Sequence, residues 1–249
     1  MDKSNIISYS EPKSIASEAY RALRTNLEFS LVNGEMKTVL ITSSHVSEGK
    51  SSTASNLATV FAMQGKKTVL LDADMRRGTQ HKKFDVQNTN GLSNYLAGKD
   101  IAENKFVKQT EIANLSLITC GPVPPNPAEL ISLDRMKQLI EDLKAKFDIV
   151  VIDGAPVLPV TDSVILSSIV DKVVVVASYG ETLKDELKAV RTTLDNAGAS
   201  IAGVVFNKVT MPGKRYGRYN KYGRGYYSSY YYADDEAKTT TKKKTAKKK

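Results

Sequence analysis

A glycine, a lysine and a serine, Gly49-Lys50-Ser51, stand between a β-branched run and a helical pattern. A strand, a tight loop and a helix in this order aim backbone N–H groups and a helix N-terminus at phosphate. Lys50 is then placed to reach the β- and γ-phosphates of a nucleotide, and Ser51 to bind Mg²⁺. The alternative is an ordinary turn in which Ser51 caps the helix. The candidate nucleotide-binding residues of this loop are Ser47, Glu48, Gly49, Lys50, Ser51 and Ser52.

Acidic residues end two other apolar runs. Asp72 and Asp74 close "VLLDAD", and Asp153 closes "IVVID". Alternation along a strand puts Asp72 and Asp74 on one side, and ligands of open α/β sheets bind at the carboxyl ends of strands. These acids are therefore candidate Mg²⁺-directed or catalytic groups, the alternatives being surface acids or helix caps. Asn207 also closes a strand, and either reads adenine or forms a turn.

The elements that must position these residues are short apolar runs that alternate with helix-length segments. Strands that are apolar nearly throughout predict a parallel sheet covered on both faces, hence a doubly wound α/β fold. One helix is predicted to start at Pro127, with Asn126 as N-cap and Glu129 completing a capping box. Another is predicted within residues 14–32, before the first strand.

Charge divides the chain of 249 residues near residue 211. Residues 212–249 hold twelve Lys/Arg against three Asp/Glu, which is the whole net charge of +9, and residues 1–211 are neutral. We therefore predict a folded domain over 1–211 and a flexible tail over 212–249. The tail holds eight of the twelve tyrosines. They are Tyr216, Tyr219, Tyr222, Tyr226, Tyr227, Tyr230, Tyr231 and Tyr232.

Cysteine and histidine are scarce. Cys120 is the only cysteine, and with His45 and His81 it shows no metal-ligand spacing. A single cysteine fits a reducing cytosol. No apolar run approaches the roughly 20 residues of a membrane helix, so any membrane contact is expected to be peripheral or through a partner.

Together these motifs resemble the bacterial tyrosine kinases of capsule and exopolysaccharide synthesis, in their short Gram-positive form. The matching segments are "SEGKSS", "LLDADMR", "IVVIDGAPV", "GPVPPNPAEL", "GVVFNK" and the tyrosine cluster. The resemblance implies a P-loop fold that transfers phosphate from ATP to tyrosine with Mg²⁺. Relatives often have Pro-Gly-Glu-Gly-Lys in the loop and Thr-Pro-Pro after the acid that corresponds to Asp153, where this chain has "VSEGK" and "GAP".

The resemblance also implies roles for the site residues. Lys50 and Ser51 hold ATP and Mg²⁺, and Asp74 and Asp153 complete the metal site, partly through water. Asp72 orients, and deprotonates, the incoming tyrosine hydroxyl. Phosphoryl transfer depends mostly on positioning and charge stabilisation, so this last role can be modest.

Assembly and partners are likewise implied by the resemblance. Glu18, Arg21 and Arg24 recur at three-residue steps on one side of a helix, as in the pattern that joins kinase subunits into a ring; a solvated face is the alternative. The tail tyrosines are then substrates of a neighbouring subunit. A membrane-anchored polysaccharide co-polymerase-type activator and a cognate tyrosine phosphatase are the implied partners, at the inner face of the cell membrane.

Three other functions fit part of the sequence. Partitioning ATPases of the deviant Walker A group share the loop, but they carry a lysine where this chain has His45. The Arg, Gly and Tyr of the tail are typical of RNA-binding segments, yet they leave the strand-end acids unexplained, so no specific nucleic acid is expected. A non-catalytic ATP-bound scaffold is the third. The lysine-rich end, "KKKTAKKK", either binds anionic lipid or is a solubilising extension.

Overall fold

A computed structural model of the protein describes residues 6–29 and 36–209. Within these ranges seven strands form one sheet. In chain order, β1 to β7 are Thr38–Ser43, Thr68–Asp72, Lys108–Gln109, Leu115–Ile118, Ile149–Asp153, Lys172–Ser178 and Ile201–Asn207. The spatial order is β3-β4-β2-β5-β1-β6-β7, and every neighbouring pair is parallel except β3 with β4.

Ten helices of the described ranges surround this sheet. In chain order, α1 to α10 are Ile7–Ser10, Ile15–Phe29, Lys50–Met63, Gln80–Lys83, Leu92–Leu96, Glu103–Phe106, Pro127–Ser132, Asp134–Lys146, Asp162–Ser167 and Lys184–Asn196. The predicted doubly wound α/β fold is confirmed. None of the described helices has both the length and the apolar content required to cross a membrane.

Strands β1, β2, β4, β5 and β6 are buried nearly throughout, which is why they are mostly apolar, whereas Val204 and Phe206 of the edge strand β7 are exposed. Along β1, Val39 and Ile41 belong to the core beneath α2 and α3, whereas Leu40 belongs to the core on the opposite face. All six residues of β1 are buried. The loop that follows β1 is therefore anchored at the centre of the sheet, between the ends of β5 and β6.

Two sequence predictions about helices need correction. The predicted helix does start at Pro127, but an extended residue, Leu133, divides it into α7 and α8. Asn126 does not cap α7 through its side chain; its amide instead donates to the Glu129 carboxylate. This hydrogen bond between the two side chains takes the place of the side-chain-to-backbone hydrogen bonds of a capping box.

The helix predicted before the first strand is α2, and its three patterned charges make contacts inside the chain. Arg21 pairs with Glu18, and Arg24 donates to the Val60 carbonyl of α3 at 3.1 Å. These contacts within one chain fix the orientation of the side chains. The interface between subunits stays a prediction. The domain boundary at residue 211 and the tail tyrosines lie outside the described residues.

Candidate functional site

The loop between β1 and α3 is the centre of the candidate site. It ends at Gly49, whose φ of +99° lies in the left-handed region, and α3 begins at Lys50. A Cβ at residue 49 would lie 1.8 Å from Asn207 Nδ2, so only glycine fits at this position. The backbone N–H groups at the start of α3 follow this loop directly, as predicted for an anion-binding loop, and their contact with phosphate stays a prediction.

Three side chains, two from loops and one from β7, fix the shape of the loop between β1 and α3. Glu48 is buried, accepts the backbone N–H of His45 at 2.9 Å, and pairs with the Thr182 hydroxyl. Asn207 donates its amide to the Glu48 carbonyl at 3.0 Å. The side chains of Glu48 and Asn207 thus fix the conformation of the loop. The sequence indicated this role for neither residue. Adenine recognition by Asn207 stays a prediction.

Ser47 has a φ of +64°, in the left-handed region. The relatives named above often have glycine at this position of the loop, and that residue adopts such a conformation without steric cost. A serine held in this conformation carries some backbone strain.

The three strand-end acids converge beside this loop, as predicted. Asp72 and Asp153 are register partners at the ends of β2 and β5. Lys50 Nζ lies 2.6 Å from Asp74 Oδ2 and 3.7 Å from Asp153 Oδ1. Ser51 begins α3 next to the lysine, within hydrogen-bond reach of its amine at 3.2 Å. One cation, three carboxylates and a hydroxyl are therefore brought into a single site.

Electrostatics in this cluster are set by burial and by the acids themselves. Burial lowers the pKa of Lys50, but the carboxylates of Asp153 and Asp74 outweigh it, and the net pKa is raised. Burial, and next the neighbouring Asp153, raise the pKa of Asp72 well above its usual value. Lys50 therefore stays charged, and Asp72 takes up a proton far more readily than an exposed aspartate.

Mg²⁺ and a nucleotide fit these residues. Asp153 Oδ1 is buried and has no hydrogen-bond partner among the described residues. Carboxylate oxygens and a serine hydroxyl are the protein ligands that Mg²⁺ takes. An open cleft of about 380 Å³ lies over the loop. It is lined by Val46, Ser47, Gly49, Lys50, Ser51, Ser52, Asp74, Arg77, Thr79 and Lys83.

Several residues of this site were missed by the sequence reasoning. Gln80 donates its side-chain amide to the Ser51 carbonyl and to Asp153 Oδ2, at 2.9 and 2.8 Å, and its backbone N–H to Asp72 Oδ2 at 3.0 Å. Lys83 donates to the Ser52 hydroxyl at 2.9 Å. Both belong to "RRGTQHKK", which begins two residues after Asp74. The basic character of this run was the available signal, whereas nothing in the sequence singles out Gln80.

Comparison with known proteins is consistent with this site. Residues 36–197 match the AAA domain family model. The chain is 42% identical over 225 residues to the tyrosine-protein kinase YwqD of Bacillus subtilis, covering 90% of this chain and 92% of that protein. It is 38% identical over 215 residues to the putative tyrosine-protein kinase CapB of Staphylococcus aureus, covering 86% and 93%.

Longer relatives and solved structures agree. Tyrosine-protein kinase etk of Escherichia coli is 39% identical over 198 residues, which is 80% of this chain but 27% of that relative. The solved kinase domain of ETK superposes with a TM-score of 0.80 at 38% identity, over 88% of this chain and 84% of that one. The cell division ATPase MinD of Pyrococcus furiosus has a TM-score of 0.59 at 22% identity over 68% of this chain and 71% of that one, and shares the fold alone.

Proposed function

The chain belongs to the bacterial tyrosine-protein kinases, and on that premise we propose that it transfers the γ-phosphoryl group of ATP to tyrosine hydroxyls, including those of its own tail. The observation that carries the proposal is the contact of Lys50 with Asp74 and Asp153 beside Ser51. This set supplies a phosphate-directed cation and a metal-directed carboxylate pair at one point. Phosphoryl transfer needs little more than such positioning and charge.

Each residue has a role in the proposed mechanism. Lys50 and the N–H groups at the start of α3 bind the phosphates, while Ser51, Asp74 and Asp153 hold Mg²⁺, partly through water. When bound, Mg²⁺ neutralises phosphate charge. Asp72 orients the tyrosine hydroxyl and accepts its proton. Its raised pKa favours that step, because a more basic carboxylate takes a proton more readily.

Regulation is proposed to act through the tail and the first helix. Eight phosphates, each adding about −1.5 to −2 charges, would change the +9 tail to roughly −3 to −7. We propose that this inversion loosens a ring assembled through Glu18, Arg21 and Arg24, and so regulates capsule or exopolysaccharide synthesis and export. A fully phosphorylated sample that kept the solution mass of the unmodified ring would contradict this.

The partners are inferred from the relatives' lengths. The chain covers 27% of the etk kinase but 92% of YwqD, so the matched region occurs in relatives both with and without further segments. We propose a membrane-anchored co-polymerase-type activator that holds the kinase at the inner face of the cell membrane, and a cognate tyrosine phosphatase.

Mapping of phosphate sites by mass spectrometry tests the activity. The full chain is incubated with Mg²⁺ and ATP, with and without the activator's cytoplasmic segment. Lys50→Met is the inactive variant, and Lys172→Met is the matched control, because Lys172 contacts the Ser200 hydroxyl outside the site. We expect label on residues 216–232 of the intact chain and of Lys172→Met only.

A mixed incubation tests transfer between subunits. Lys50→Met chains carrying a distinguishing mass tag are combined with intact chains. Label on the Lys50→Met tails indicates transfer in trans, whereas label on intact tails alone indicates transfer within one subunit. Nucleotide binding without label under any condition would favour the ATPase switch or the scaffold instead.

A further inference from the structure

Three side chains of unlike chemistry meet beneath the candidate site. Asp72 ends β2, His81 lies in α4, and Cys120 follows β4. One ligand atom from each, an oxygen, a nitrogen and a sulfur, lies within 4.8 Å of the other two. The three residues lie far apart along the chain, which is why the sequence shows no metal-ligand spacing. Carboxylate, imidazole and thiolate are the ligands that Zn²⁺ takes in proteins.

The donors are available for a ligand. Asp72 is fully buried, and within the described ranges its Oδ1 has no hydrogen-bond partner. Nδ1 of His81 is also buried without a partner among those residues. Buried polar atoms are normally satisfied, so two such atoms in one cluster point to a missing ligand. Among the described residues, Cys120 Sγ has weak sulfur hydrogen bonds to Asn88 and the Gly121 carbonyl, at 3.3 to 3.6 Å, which a metal–sulfur bond would replace.

Gly78 packs closely against two of the donors. A Cβ at this residue would lie 2.2 Å from Cys120 Sγ and 2.9 Å from Asp72 Oδ2. Any larger residue would therefore displace the sulfur and the carboxylate. Glycine at this position thus allows the two donors to stay beside each other.

The protonation states of His81 and Cys120 suit a site that binds a metal ion reversibly. Burial lowers the pKa of His81, so the imidazole is kept in the neutral form that binds metals. Burial, and next the Asp72 carboxylate, raise the pKa of Cys120 to about 12, so without a cation it remains a thiol. A coordinating metal ion removes that proton.

We propose that Asp72, His81 and Cys120 form a binding site for a thiolate-preferring divalent cation of the Zn²⁺ class, and that its occupancy withdraws Asp72 from phosphoryl transfer. On binding, the metal–sulfur bond replaces the S–H bond and the proton passes to solvent. Solvent or a fourth group completes the coordination, as in zinc sites with three protein ligands. The inhibition rests on the proposed kinase function, whereas the metal binding does not.

Zinc titration of the full chain in competition with a chromogenic chelator tests the site. Saturating Mg²⁺-ADP is present to occupy the phosphate loop. Cys120→Ser and His81→Gln each remove one ligand, and His45→Gln is the matched control, since the other histidine of the chain pairs with Glu186 on the surface. We expect one zinc per chain, at least about tenfold weaker binding in the two ligand variants, and no change in the control.

Co²⁺ provides a second measurement on the intact chain. A thiolate-to-cobalt charge-transfer band is expected with the intact chain and with His45→Gln, and its absence with Cys120→Ser. Equal zinc affinity in all four proteins, or no binding at all, would overturn the site. Zinc that binds only without Mg²⁺-ADP would place the cation at the magnesium ligands and overturn it as well.

The kinase assay then tests the consequence. Zinc is expected to lower tail labelling of the intact chain and of His45→Gln, while Cys120→Ser keeps its labelling. Confirmed zinc binding with undiminished labelling would overturn the inhibition and leave the site standing. An absence of labelling in every zinc-free sample would instead count against the kinase function. It would not count against the metal site, because the chelator titration measures metal binding alone.

Discussion

Replacing Asp72 by asparagine should stabilise the fold while it impairs phosphoryl transfer. Asp72 is fully buried, its Oδ1 has no partner among the described residues, and it faces Asp153 across β2 and β5. An asparagine keeps the shape and still accepts the Gln80 backbone N–H through its oxygen. The variant removes a buried negative charge that is repelled by the neighbouring acids. The fold therefore becomes more stable, and the side chain at residue 72 becomes less able to accept a proton.

The magnitude follows from the unpaired oxygen. A buried polar atom without a partner costs about 1–3 kcal/mol. Since the new amide also needs an acceptor, we expect Asp72→Asn to gain about 1–2 kcal/mol near neutral pH. At roughly 2–4 °C per kcal/mol for a domain of this size, the melting temperature should rise by roughly 2–8 °C. Tyrosine labelling should fall by about tenfold or more.

The gain should depend on pH with a defined sign. The folded pKa of Asp72 lies well above the usual 3.8. Below 3.8 the carboxyl is protonated in both the folded and the unfolded chain, so the intact protein and the variant differ least there. As pH rises from 3.8 towards the folded pKa, the unfolded chain ionises first, and the intact protein loses stability relative to the variant. Above the folded pKa the difference is constant.

Thermal unfolding of the nucleotide-free chain, followed by circular dichroism across this range, measures the effect. Asp74→Asn is the matched comparison, because Asp74 Oδ2 lies 2.6 Å from Lys50 Nζ and its Oδ1 accepts the Arg77 N–H at 2.9 Å. We expect that variant to melt below the intact protein, since breaking a buried pair is costly. A lower melting temperature for Asp72→Asn at neutral pH, or a gain that does not shrink towards acid, would refute the reasoning.

Three further predictions concern the loop and the first helix. Ser47→Gly should raise the free energy of unfolding by about 1 kcal/mol, since φ is +64° there; unchanged denaturant unfolding would contradict this. Gly49→Ala should weaken nucleotide binding by at least about tenfold in calorimetry, because its Cβ would meet Asn207; unaltered affinity would show that the loop yields. Arg21→Ala should lower the mass of the assembly in light scattering, with Glu18 left unpaired, and an unchanged mass would exclude Arg21 from the interface.

Much of this fold could be predicted because its strands carry a strong local signal. Six of the seven strands are short apolar runs, and five of them, β1, β2, β4, β5 and β6, are buried nearly throughout, the pattern that predicts a parallel arrangement. The exception, Lys108–Gln109, has two residues and is only partly buried, so no apolar pattern marks it. The break at Leu133 was missed because the hydrophobic pattern continues through it.

The candidate site was predictable to the extent that it depends on strand ends. Lys50, Asp74 and Asp153 could be placed together because parallel strands bring their carboxyl ends to one edge. Gln80 could not, because a glutamine in a four-residue helix has no pattern to mark it. The proximity of Cys120 and His81 could not be predicted either, since it depends on β4 lying beside β2.

The same charges that make the site competent also explain why it needs a ligand. Lys50 is the nearest cation to Asp74 and Asp153 in the contacts that the structure describes, and it can contact phosphate only by giving up part of its interaction with them. The two carboxylates then need another positive charge, because buried acids left unpaired are costly. A divalent cation that binds together with the nucleotide supplies this positive charge. We therefore expect the contact of Lys50 with phosphate to be coupled to the binding of the metal. Asp72 is fully buried and makes no direct ion pair with Lys50 in the structure, so its proposed role towards tyrosine is separate from this exchange of charges.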